Sequence, residues 1–373
     1  MAGSALSPLR RRWPRVVGGA LVLSALAVLL LMFDIWSALG SKPSGERLAR
    51  LAQSPQYRDG RFVNTLPTVH SGMSVSAARD FFLGGSDYRE PTQPLPIVTR
   101  TAADFAETVP DLRVTWLGHS TLLVELDGTR VLVDPVWGER ASPMSFAGPE
   151  RFYAPPLPLA ELPALDAVVI SHDHYDHLDL AAIAFLHERD RPLVLVPLGV
   201  GQRLGAARTV EMDWWQVVET HGLRIHSAPA KHFSGRSLGD RDRTLWASWY
   251  LEPLDDDAPT VYYAGDSGYA SHFADVRERF GAPDLAIVPV GAYEPRWFMA
   301  RVHVSPDEAL QAYEDLGGPG HGTHFVPVHW GTFDLADDPL DAPRRLVPQR
   351  AAERGLDPDR IHVLDVGGQV TVE

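Results

Sequence analysis

Hydrophobic and polar positions divide the chain into three parts with different patterns. Val16–Phe33 is an apolar run in which Ser24 is the only polar residue. Residues 41–101 are rich in Pro, Gly, Ser and charged residues and show only short helical patterns. From residue 102 onward, short β-branched runs alternate with turn residues and a few helical stretches. The pattern therefore predicts an apolar helix, a linker and wrapping arm over 41–101, and one folded domain over 102–373.

Strand-like runs outnumber helical stretches in the third part of the chain. Asp127–Gly128, a dipeptide favoured in two-residue hairpin turns, separates Thr121–Leu126 from Arg130–Asp134. Ser305-Pro-Asp-Glu308 has a serine cap and a glutamate three residues later, which predicts a helix start. Because hairpins are mixed with crossover connections, we expect two mixed sheets with helices outside them, an α/β (α+β) architecture. The other predicted elements are helices at Leu180–Arg189 and Ala270–Phe280 and strands at Val114–Leu117, Ala167–Ile170, Leu193–Val196, Leu223–Ser227, Leu245–Leu251, Thr260–Ala264, Leu285–Val290, Phe325–Val328 and His362–Asp365.

The apolar run has the length and the flanking charge of a membrane-spanning helix. As a helix its 18 residues would extend about 27 Å, close to the thickness of the hydrocarbon core of a bilayer. Arginines at positions 10, 11, 12 and 15 precede the run, so the positive-inside rule places residues 1–15 in the cytoplasm. A signal-peptide core is usually shorter, and Ala38-Leu-Gly40 only loosely resembles a cleavage site. We therefore predict an uncleaved transmembrane signal anchor at 16–36, with the domain on the other side of the membrane.

Composition and charge narrow the class of protein further. The chain of 373 residues is 45% hydrophobic and 22% charged, which is typical of a globular protein. It contains no cysteine, which excludes disulfides, cysteine nucleophiles and cysteine-bound zinc. The net charge is −14, and because the first 40 residues contribute +3, the remainder carries −17. Such an acidic domain argues against a nucleic-acid partner, and the sequence does not indicate an oligomeric state.

Candidate chemistry is concentrated in the stretch Ser171-His-Asp-His-Tyr-Asp-His177. This stretch follows an apolar β-branched run that is typical of a buried strand. Alternate residues of an extended segment face the same side, so His172 and His174 can reach one metal ion together. A turn would then direct Asp176 and His177 toward a neighbouring position. Imidazole suits zinc, iron or nickel, and an added carboxylate suits a hydrolytic divalent ion; the alternative is a solvated histidine-rich loop.

Three later strands each end in another residue that can bind a metal. His232 follows the predicted strand at 223–227, Asp266 follows the one at 260–264, and His329 follows the one at 325–328. A sheet brings such ends to one edge, where loops build sites, so seven candidate ligands converge. Two ions about 3.5–4 Å apart can share a hydroxide, because metal binding lowers the pKa of water from about 15.7 toward about 7. One ion could be held by His172, His174 and His232, the other by Asp176, His177 and His329, with Asp266 bridging the two.

The spacing His172-x-His174-x-Asp176-His177, with the three later residues, resembles the signature of the metallo-β-lactamase superfamily. Asp134, in Leu132-Val-Asp-Pro135, matches that superfamily's early aspartate, which is usually structural. More narrowly, the chain is similar to the N-acyl-phosphatidylethanolamine-hydrolysing phospholipase D family and its bacterial relatives, over roughly residues 67–333. The stretches that carry the likeness are Trp116–Thr121, Ser171–Asp179, Pro229–Arg236, Gly265–Tyr269, Gly291–Met299, His303–Ala309 and His329–Phe333.

The resemblance implies a four-layer αββα sandwich, two zinc ions with iron or manganese as alternatives, and hydrolysis of a phospholipid phosphodiester by a metal-bridging hydroxide. It also implies catalytic roles for Asp176 and His303, while the residues alone equally allow His303 to pack before a helix cap. His119 either supports the site from a neighbouring loop or satisfies backbone groups. Tyr293–Met299 could line an acyl path or belong to the core. With the anchor, the likeness to bacterial relatives predicts a single-pass inner-membrane protein with an extracytoplasmic domain.

Three other functions fit parts of the sequence. The same site could hydrolyse a lactone or another carboxylic ester or amide, since hydroxide attacks a carbonyl carbon equally well. A nuclease is disfavoured by the acidic domain and by the anchor. A non-enzymatic sensor or scaffold on the membrane surface would keep the metal for structure. Structural zinc sites usually close all four positions with protein ligands, whereas seven ligands around two ions leave room for water, so we favour the phospholipid hydrolase.

Overall fold

Two β-sheets face each other and carry helices on their outer surfaces, in the part of the chain that the computed structural model describes. That part comprises residues 9–41, 43–64, 91, 93–107, 111–237 and 239–372. Large apolar side chains fill the space between the sheets, among them Trp116, Trp249 and Val326. Two further apolar clusters lie between the sheets and their outer helices. The layers therefore follow the predicted order of helix, sheet, sheet and helix.

The N-terminal region consists of a long helix followed by a segment that packs on the domain. Its elements, in chain order, are α1 (Leu9–Leu39), α2 (Gly45–Leu51), β1 (Tyr57–Arg58) and β2 (Arg61–Phe62). Within α1, the 23 residues Val17–Leu39 are long and apolar enough to cross a membrane. Leu51 and Phe62 are buried in the core between the sheets, so the described part of the predicted arm does wrap on the domain. Residues 65–90 of that arm and residues 1–8 of the predicted cytoplasmic segment lie outside the described residues.

One sheet contains seven of the described strands. In spatial order they are β15 (Gln369–Val372), β3 (Leu112–Trp116), β4 (Leu122–Leu126), β5 (Thr129–Val133), β6 (Ala167–Val169), β7 (Leu193–Pro197) and β8 (Thr209–Met212). From β15 to β5 the neighbours are antiparallel, and from β5 to β8 they are parallel. β6 is buried on both faces and leads directly into the histidine-rich stretch.

The other sheet contains six strands, also of mixed direction. In spatial order they are β14 (His324–Val328), β13 (Leu285–Pro289), β12 (Val261–Tyr263), β11 (Ser248–Pro253), β10 (Leu223–Ala228) and β9 (Val217–Thr220). The first three are parallel neighbours, and the remaining pairs are antiparallel. The chain segments that follow β10, β12 and β14 carry the three later candidate ligands.

Helices cover the outer face of each sheet. They are α3 (Leu180–Arg189), α4 (His272–Phe280), α5 (Arg296–Met299), α6 (Pro306–Asp315), α7 (Gly318–His321) and α8 (Ala342–Glu353). Ile183 and Leu186 of α3 pack against the seven-stranded sheet. Phe273 of α4, Leu310 of α6 and Val347 of α8 pack against the six-stranded sheet. The apolar faces of α3, α4, α6 and α8 thus support the two sheets from outside.

Two local predictions, the hairpin and the helix cap, are confirmed. Asp127 and Gly128 join β4 to β5, and their φ angles of 47° and 74° are positive, as a type I′ turn requires. Ser305 Oγ accepts a hydrogen bond from the Glu308 N–H, and the Glu308 carboxylate accepts one from the Ser305 N–H. This capping box starts α6 just after His303 and so fixes the position of that histidine at the helix entrance.

The predicted strand at His362–Asp365 is wrong. The residues that flank this segment, Ile361 and Val366, each make one isolated bridge, but no ladder forms between them. The His362 N–H donates to the carbonyl of Phe325 in β14, and the next ladder bond would need an N–H from Pro327, which has none. The structure also contains β8, β9 and β15, which the hydrophobic pattern did not predict.

Candidate metal centre

Four strands deliver candidate ligands to one edge of the two-sheet core. The chain leaves β6 toward His172, β10 toward His232, β12 toward Asp266 and β14 toward His329. All four side chains are buried. The structure brings together the seven residues predicted as ligands, and their binding of metal stays a prediction. They are His172, His174, Asp176, His177, His232, Asp266 and His329.

The first group at this edge consists of three histidines, in the combination that the sequence predicts. His174 Nδ1 lies 2.8 Å from His172 Nε2 and 3.3 Å from His232 Nε2. Nitrogen atoms at such separations can bind one zinc ion, whose bonds to imidazole are about 2.0–2.1 Å long. His172 and His232 are buried whereas His174 is partly exposed, so the group opens to solvent on the side of His174.

The second group combines a carboxylate with histidines from distant parts of the chain. Asp176 Oδ2 lies 3.4 Å from His177 Nε2 and 3.6 Å from His329 Nε2. His119, at the end of β3, adds a third imidazole, because its Nε2 lies 2.9 Å from the same oxygen. The sequence left the role of His119 open, and the structure places it in contact with this group. Its backbone carbonyl also accepts a hydrogen bond from the N–H of His329.

Asp266 lies between the two groups. Its Oδ2 is 3.1 Å from His177 Nε2 and 3.0 Å from His329 Nε2 in the second group. The same oxygen is 3.8 Å from His232 Nε2 in the first group. A carboxylate in this position can contact ions in both groups, which is the arrangement predicted from the sequence.

His303 lies beside this bridging carboxylate. Its Nδ1 is 3.9 Å from Asp266 Oδ2, and its ring lies 5.1 Å from that of His232 and 5.2 Å from that of His329. The side chain is 7% exposed, and its Nδ1 has no hydrogen-bond partner among the described residues. His303 is therefore placed at the centre itself and not only at the start of α6, while its catalytic role stays a prediction.

Asp134 anchors the histidine-rich stretch from β5, as expected for a structural aspartate. Its Oδ2 accepts from His177 Nδ1 at 2.7 Å, from the Tyr263 hydroxyl at 2.6 Å and from Ser171 Oγ at 2.5 Å. Its Oδ1 accepts from the backbone N–H of Ser171 at 2.6 Å. Because His177 donates through Nδ1, its Nε2 presents a lone pair to the second group. The same logic applies to His232, whose Nδ1 donates to the carbonyl of Val302 at 3.0 Å.

The unpaired atoms of the centre fit divalent metal ions. Among the described residues, His177 Nε2, His329 Nε2 and Asp266 Oδ1 are buried and make no hydrogen bond of acceptable geometry. Buried polar atoms are rarely left in this state, because each costs about 1–3 kcal/mol. A set of imidazole and carboxylate ligands without sulfur suits zinc, iron or manganese. The residues present are therefore chemically suited to hold ions at both groups.

Burial and charge give the histidines of the two groups different protonation behaviour. Burial lowers the pKa of His172 and His232 well below the usual value, so both are neutral, the form that binds metals. Burial alone would also lower the pKa of His329, but the charges of Asp266 and Asp176 raise it to about 9. The same two carboxylates raise the pKa of His177 well above its usual value against the effect of burial. In the metal-free protein the second group is therefore partly protonated.

Metal binding to the second group is expected to release protons and to strengthen with rising pH. The bound form carries fewer protons on His177 and His329 than the free form, so a higher pH favours the bound form until His329 has lost its proton near pH 9. Calorimetric titration of the metal-free protein in two buffers of different ionisation enthalpy measures this release. An affinity that stays constant from neutral pH to about pH 9 would contradict the assignment.

Comparison with known proteins identifies the family. Residues 129–330, more than half of the chain, match the family model described as Beta-lactamase superfamily domain. The chain belongs to the metallo-β-lactamase superfamily. It is 41% identical over 343 residues to an uncharacterized protein of Mycobacterium tuberculosis, a match that covers 89% of both chains. It is 37% identical over 284 residues to N-acyl-phosphatidylethanolamine-hydrolyzing phospholipase D 1 of Caenorhabditis elegans, covering 71% of this chain and 78% of that protein.

A solved structure shares the fold of this chain. A possible metal-dependent hydrolase of Veillonella parvula superposes with a TM-score of 0.56 and 17% identity, covering 71% of this chain and all of that one. At this identity the likeness concerns the fold alone. Together with the superfamily match and the clustered ligands, the relatives establish the chain as a metal-dependent hydrolase of the metallo-β-lactamase fold.

Proposed function

We propose that this protein is a membrane-anchored hydrolase with two zinc ions that cleaves a phosphodiester bond of a phospholipid of the N-acyl-phosphatidylethanolamine type. The observation that carries the proposal is the position of Asp266 Oδ2 between two ligand groups, 3.0 Å from His329 Nε2 and 3.8 Å from His232 Nε2. A pair of adjoining ion sites is the arrangement used to stabilise both oxygens of a displacement at phosphorus. The likeness to the Caenorhabditis elegans phospholipase supports the choice of substrate class.

In this proposal His172, His174 and His232 would hold one ion, Asp176, His177 and His329 would hold the other, and Asp266 would lie between them. Divalent ions in these positions supply Lewis acidity and lower the pKa of bound water from about 15.7 toward about 7. Hydrolysis adds the hydroxyl of water to phosphorus and its proton to the oxygen of the departing N-acylethanolamine. Phosphatidic acid is the second product.

Two residues are proposed to act on the reacting groups directly. Asp176 is partly exposed and ionised: burial alone would raise its pKa, but His177 and the hydrogen bond from His119 hold it well below the usual value. Its carboxylate can therefore orient the attacking water. Burial lowers the pKa of His303 to about 3, so its ring is neutral, and its Nδ1, which has no hydrogen-bond partner among the described residues, can form a hydrogen bond to a reacting group. We assign His303 to positioning the reacting groups beside the bridging carboxylate.

The stretch Tyr293–Met299 has two neighbouring side chains suited to an acyl chain. Tyr293 and Met299 are buried, as expected of core residues. Trp297 is 62% exposed, and its ring packs beside Phe298, which is partly buried. We propose that Trp297 and Phe298 contact an acyl chain of the substrate, while the rest of the stretch supports the fold.

The membrane anchor is proposed to be α1. Its 23 residues Val17–Leu39 would extend about 34 Å as a helix, enough to cross the hydrocarbon core. The arginines before it favour a cytoplasmic N-terminus, which places the domain on the extracytoplasmic side of the inner membrane. Protease added to intact spheroplasts should then digest the domain, and a domain that resists digestion until the cells are lysed would contradict this topology.

The test of substrate class offers two esters to one preparation of the full chain in detergent. One is an N-acyl-phosphatidylethanolamine and the other is a lactone, with metal content measured by elemental analysis on the same sample. Two zinc ions per chain with release of N-acylethanolamine is the expected result. Two metals with hydrolysis of the lactone alone would move the function to a carboxylic ester, and less than one metal after loading would overturn the proposed centre.

A further inference from the structure

We propose that the C-terminal turn of α1 is a built-in support of the metal centre. In this proposal Arg203 and Arg236 are positioning residues: they hold the end of α1 on one side and the metal-binding stretch on the other. α1 then acts as a rigid mount that keeps the mouth of the centre at the bilayer surface, not as a flexible tether. The inference rests on the proposed membrane span of α1, and it adds an orientation that a span alone does not give.

Arg236 makes the more complete connection. It is 4% exposed, and its Nε and Nη2 donate to the carbonyl of Ala38 at 2.9 Å and 2.5 Å. Its Nη1 donates to the carbonyls of Asp173 and Leu178, both at 2.9 Å. A buried guanidinium needs acceptors for its donors, and two of its three acceptors here belong to α1 or to the residue between two predicted metal ligands. The docked helix therefore completes the environment of Arg236.

Arg203 makes a parallel connection through charge. It is 5% exposed, and its Nη1 donates to the carbonyl of Leu39 at 3.0 Å. Its Nε lies 2.7 Å from the carboxylate of Asp173, and its Nη2 lies 2.9 Å from that of Asp240. Asp173 stands between His172 and His174 in the chain. The same arginine thus connects the last residue of α1 to the first ligand group.

The unpaired carbonyls and the negative dipole at the C-terminal end of α1 explain why two arginines lie there. The last carbonyls of an α-helix have no partner within the helix and form the negative end of its dipole. The last turn of α1 contains no basic residue of its own. Ala38 and Leu39 present such carbonyls, and the two arginines of the domain satisfy them. Gly40 follows in the left-handed conformation, with φ of 64°, which is the usual way for a helix to end.

The mouth of the metal centre lies against the same arginine. The guanidinium of Arg236 stacks on the ring of Tyr175 at 4.0 Å, and the Tyr175 hydroxyl donates to the carbonyl of Arg236 at 2.7 Å. Tyr175 and its neighbours His174 and Asp176 are the partly exposed residues of the histidine-rich stretch, so the centre opens there. The apolar span of α1 ends at Leu39. At this end Arg203 and Arg236 hold the carbonyls of Leu39 and Ala38, and we call these contacts the clamp. The opening therefore lies at the level of the lipid headgroups.

The segment after α1 is also fastened to the domain. Ser41 Oγ donates to the carbonyl of Gln202 at 2.5 Å. Arg47 pairs with the carboxylate of Glu211 at 3.0 Å, and Arg50 donates to the carbonyl of Glu211 at 2.7 Å. A helix joined by a free linker would tumble relative to its domain, whereas this connection is bonded on both sides of Gly40. These contacts favour the rigid mount.

The matched test uses two glycines with the same backbone conformation. A Cβ on Gly40 would lie 3.0 Å from Arg203 Cβ and 3.2 Å from a methyl carbon of Leu180, whereas a Cβ on Gly45, with φ of 57°, would meet nothing within 4 Å. Gly40→Val should therefore displace the clamp, and Gly45→Val is its control for backbone strain.

A second variant inserts ten Gly and Ser residues between Ser37 and Ala38, which frees the helix but leaves the acceptors of both arginines in place.

Two properties are measured on the full chain reconstituted in phosphatidylcholine vesicles: the quenching of a fluorescent label and a ratio of two turnover rates. Since the chain has no cysteine, Phe146→Cys gives a single label site at an exposed position, five residues after Ala141, which belongs to the small apolar cluster against which Tyr175 packs. Nitroxides on the lipid headgroups should quench a fluorophore there. The second readout is the ratio of turnover of N-acyl-phosphatidylethanolamine in the vesicle to turnover of a water-soluble phosphodiester, bis(p-nitrophenyl) phosphate.

With the natural sequence and with Gly45→Val, quenching is expected to be strong. In Gly40→Val and in the insertion variant it should fall, and the turnover ratio should drop about tenfold as the opening leaves the surface. Unchanged quenching and an unchanged ratio in the insertion variant would overturn the mount, even if Gly40→Val failed to fold. Weak quenching with the natural sequence inserted in vesicles would overturn it as well. If quenching were strong with the natural sequence and fell in the two variants, but neither phosphodiester were hydrolysed, the rigid mount would be supported and the proposed function rejected.

Discussion

Replacing His174 by Ala is expected to abolish hydrolysis and to reduce the metal content from two ions to about one, while the domain still folds. His174 Nδ1 is the atom that contacts both other members of the first group, at 2.8 Å from His172 and 3.3 Å from His232. The side chain is partly exposed, so its removal leaves no cavity in the core. The loss of activity on removing a ligand should exceed the loss of about 10–100-fold that is typical when a residue that hydrogen-bonds to a ligand is mutated.

The measurement compares turnover, elemental metal content and circular dichroism with those of His321→Ala. His321 is exposed on α7 before β14, whereas the candidate ligand His329 follows the other end of β14, so this control repeats the chemical change away from the centre. Unchanged turnover in His174→Ala would remove the first group from the mechanism. A variant that lost its circular dichroism together with its activity would show that the three histidines are needed for folding.

Asp134→Asn is expected to weaken both metal retention and the folded state, although its shape is almost that of the natural side chain. The Asp134 carboxylate accepts four hydrogen bonds, three of them at Oδ2 from His177, Tyr263 and Ser171. An amide group has one oxygen, so its NH₂ must face at least one of these donors. Each donor left without an acceptor costs about 1–3 kcal/mol of unfolding free energy, and loss of the support behind His177 should lower metal affinity about 10–100-fold.

Chelator competition measures the affinity, and denaturant unfolding measures the stability of the same samples. Asp256→Asn provides the matched control, since that carboxylate is 92% exposed and lies in the turn between β11 and β12. We expect the control to behave as the natural protein within error. If Asp134→Asn kept its ions and its unfolding midpoint, the four hydrogen bonds would not be the reason for an aspartate at this position.

The candidate ligands could be predicted because each follows a local sequence pattern. The histidine-rich stretch follows a buried strand, and His232, Asp266 and His329 each follow another. A strand that delivers a ligand at its end can be recognised without knowing its neighbours in the sheet. The grouping of the ligands could also be proposed, since His172 and His174 alternate on an extended segment. The structure brings these residues into two adjoining groups, while their binding of metal ions and the number and identity of those ions stay predictions.

The supports of the centre could not be predicted, because they depend on which elements meet in space. His119 contacts Asp176 across 57 residues of sequence, and only the pairing of β3 and β4 places it there. Arg236 reaches Ala38 across 198 residues. Both residues lie in stretches that resemble the family, Trp116–Thr121 and Pro229–Arg236, but nothing in those stretches indicates which residues they contact. A positive φ of 52° at His119 is a further sign of a special position, but it too is visible only in the structure.

The strands missed by the sequence reading lie at the edges of the sheets or next to them. β8 and β9 are the outermost strands of their sheets on one side, and β9 alternates exposed with partly buried residues. Edge strands need little apolar surface, so their pattern resembles that of a loop. The segment His362–Asp365 shows the converse, since its composition favours a strand and Pro327 on the neighbouring strand prevents the ladder.

The pairing of β15 with β3 constrains the order of synthesis, transport and folding of the chain. Gln369 and Thr115 face each other in this pair, and they are 254 residues apart. A chain that is still being synthesised, or still threading through a translocation channel, cannot form this pair, so the sheet closes only when nearly all of it has emerged. For a chain that is exported unfolded, the pairing of β15 with β3, and with it completion of the fold around the metal centre, must follow transport. The ions would then come from the compartment in which the domain finally resides, and the supply of metal there would set the amount of active protein.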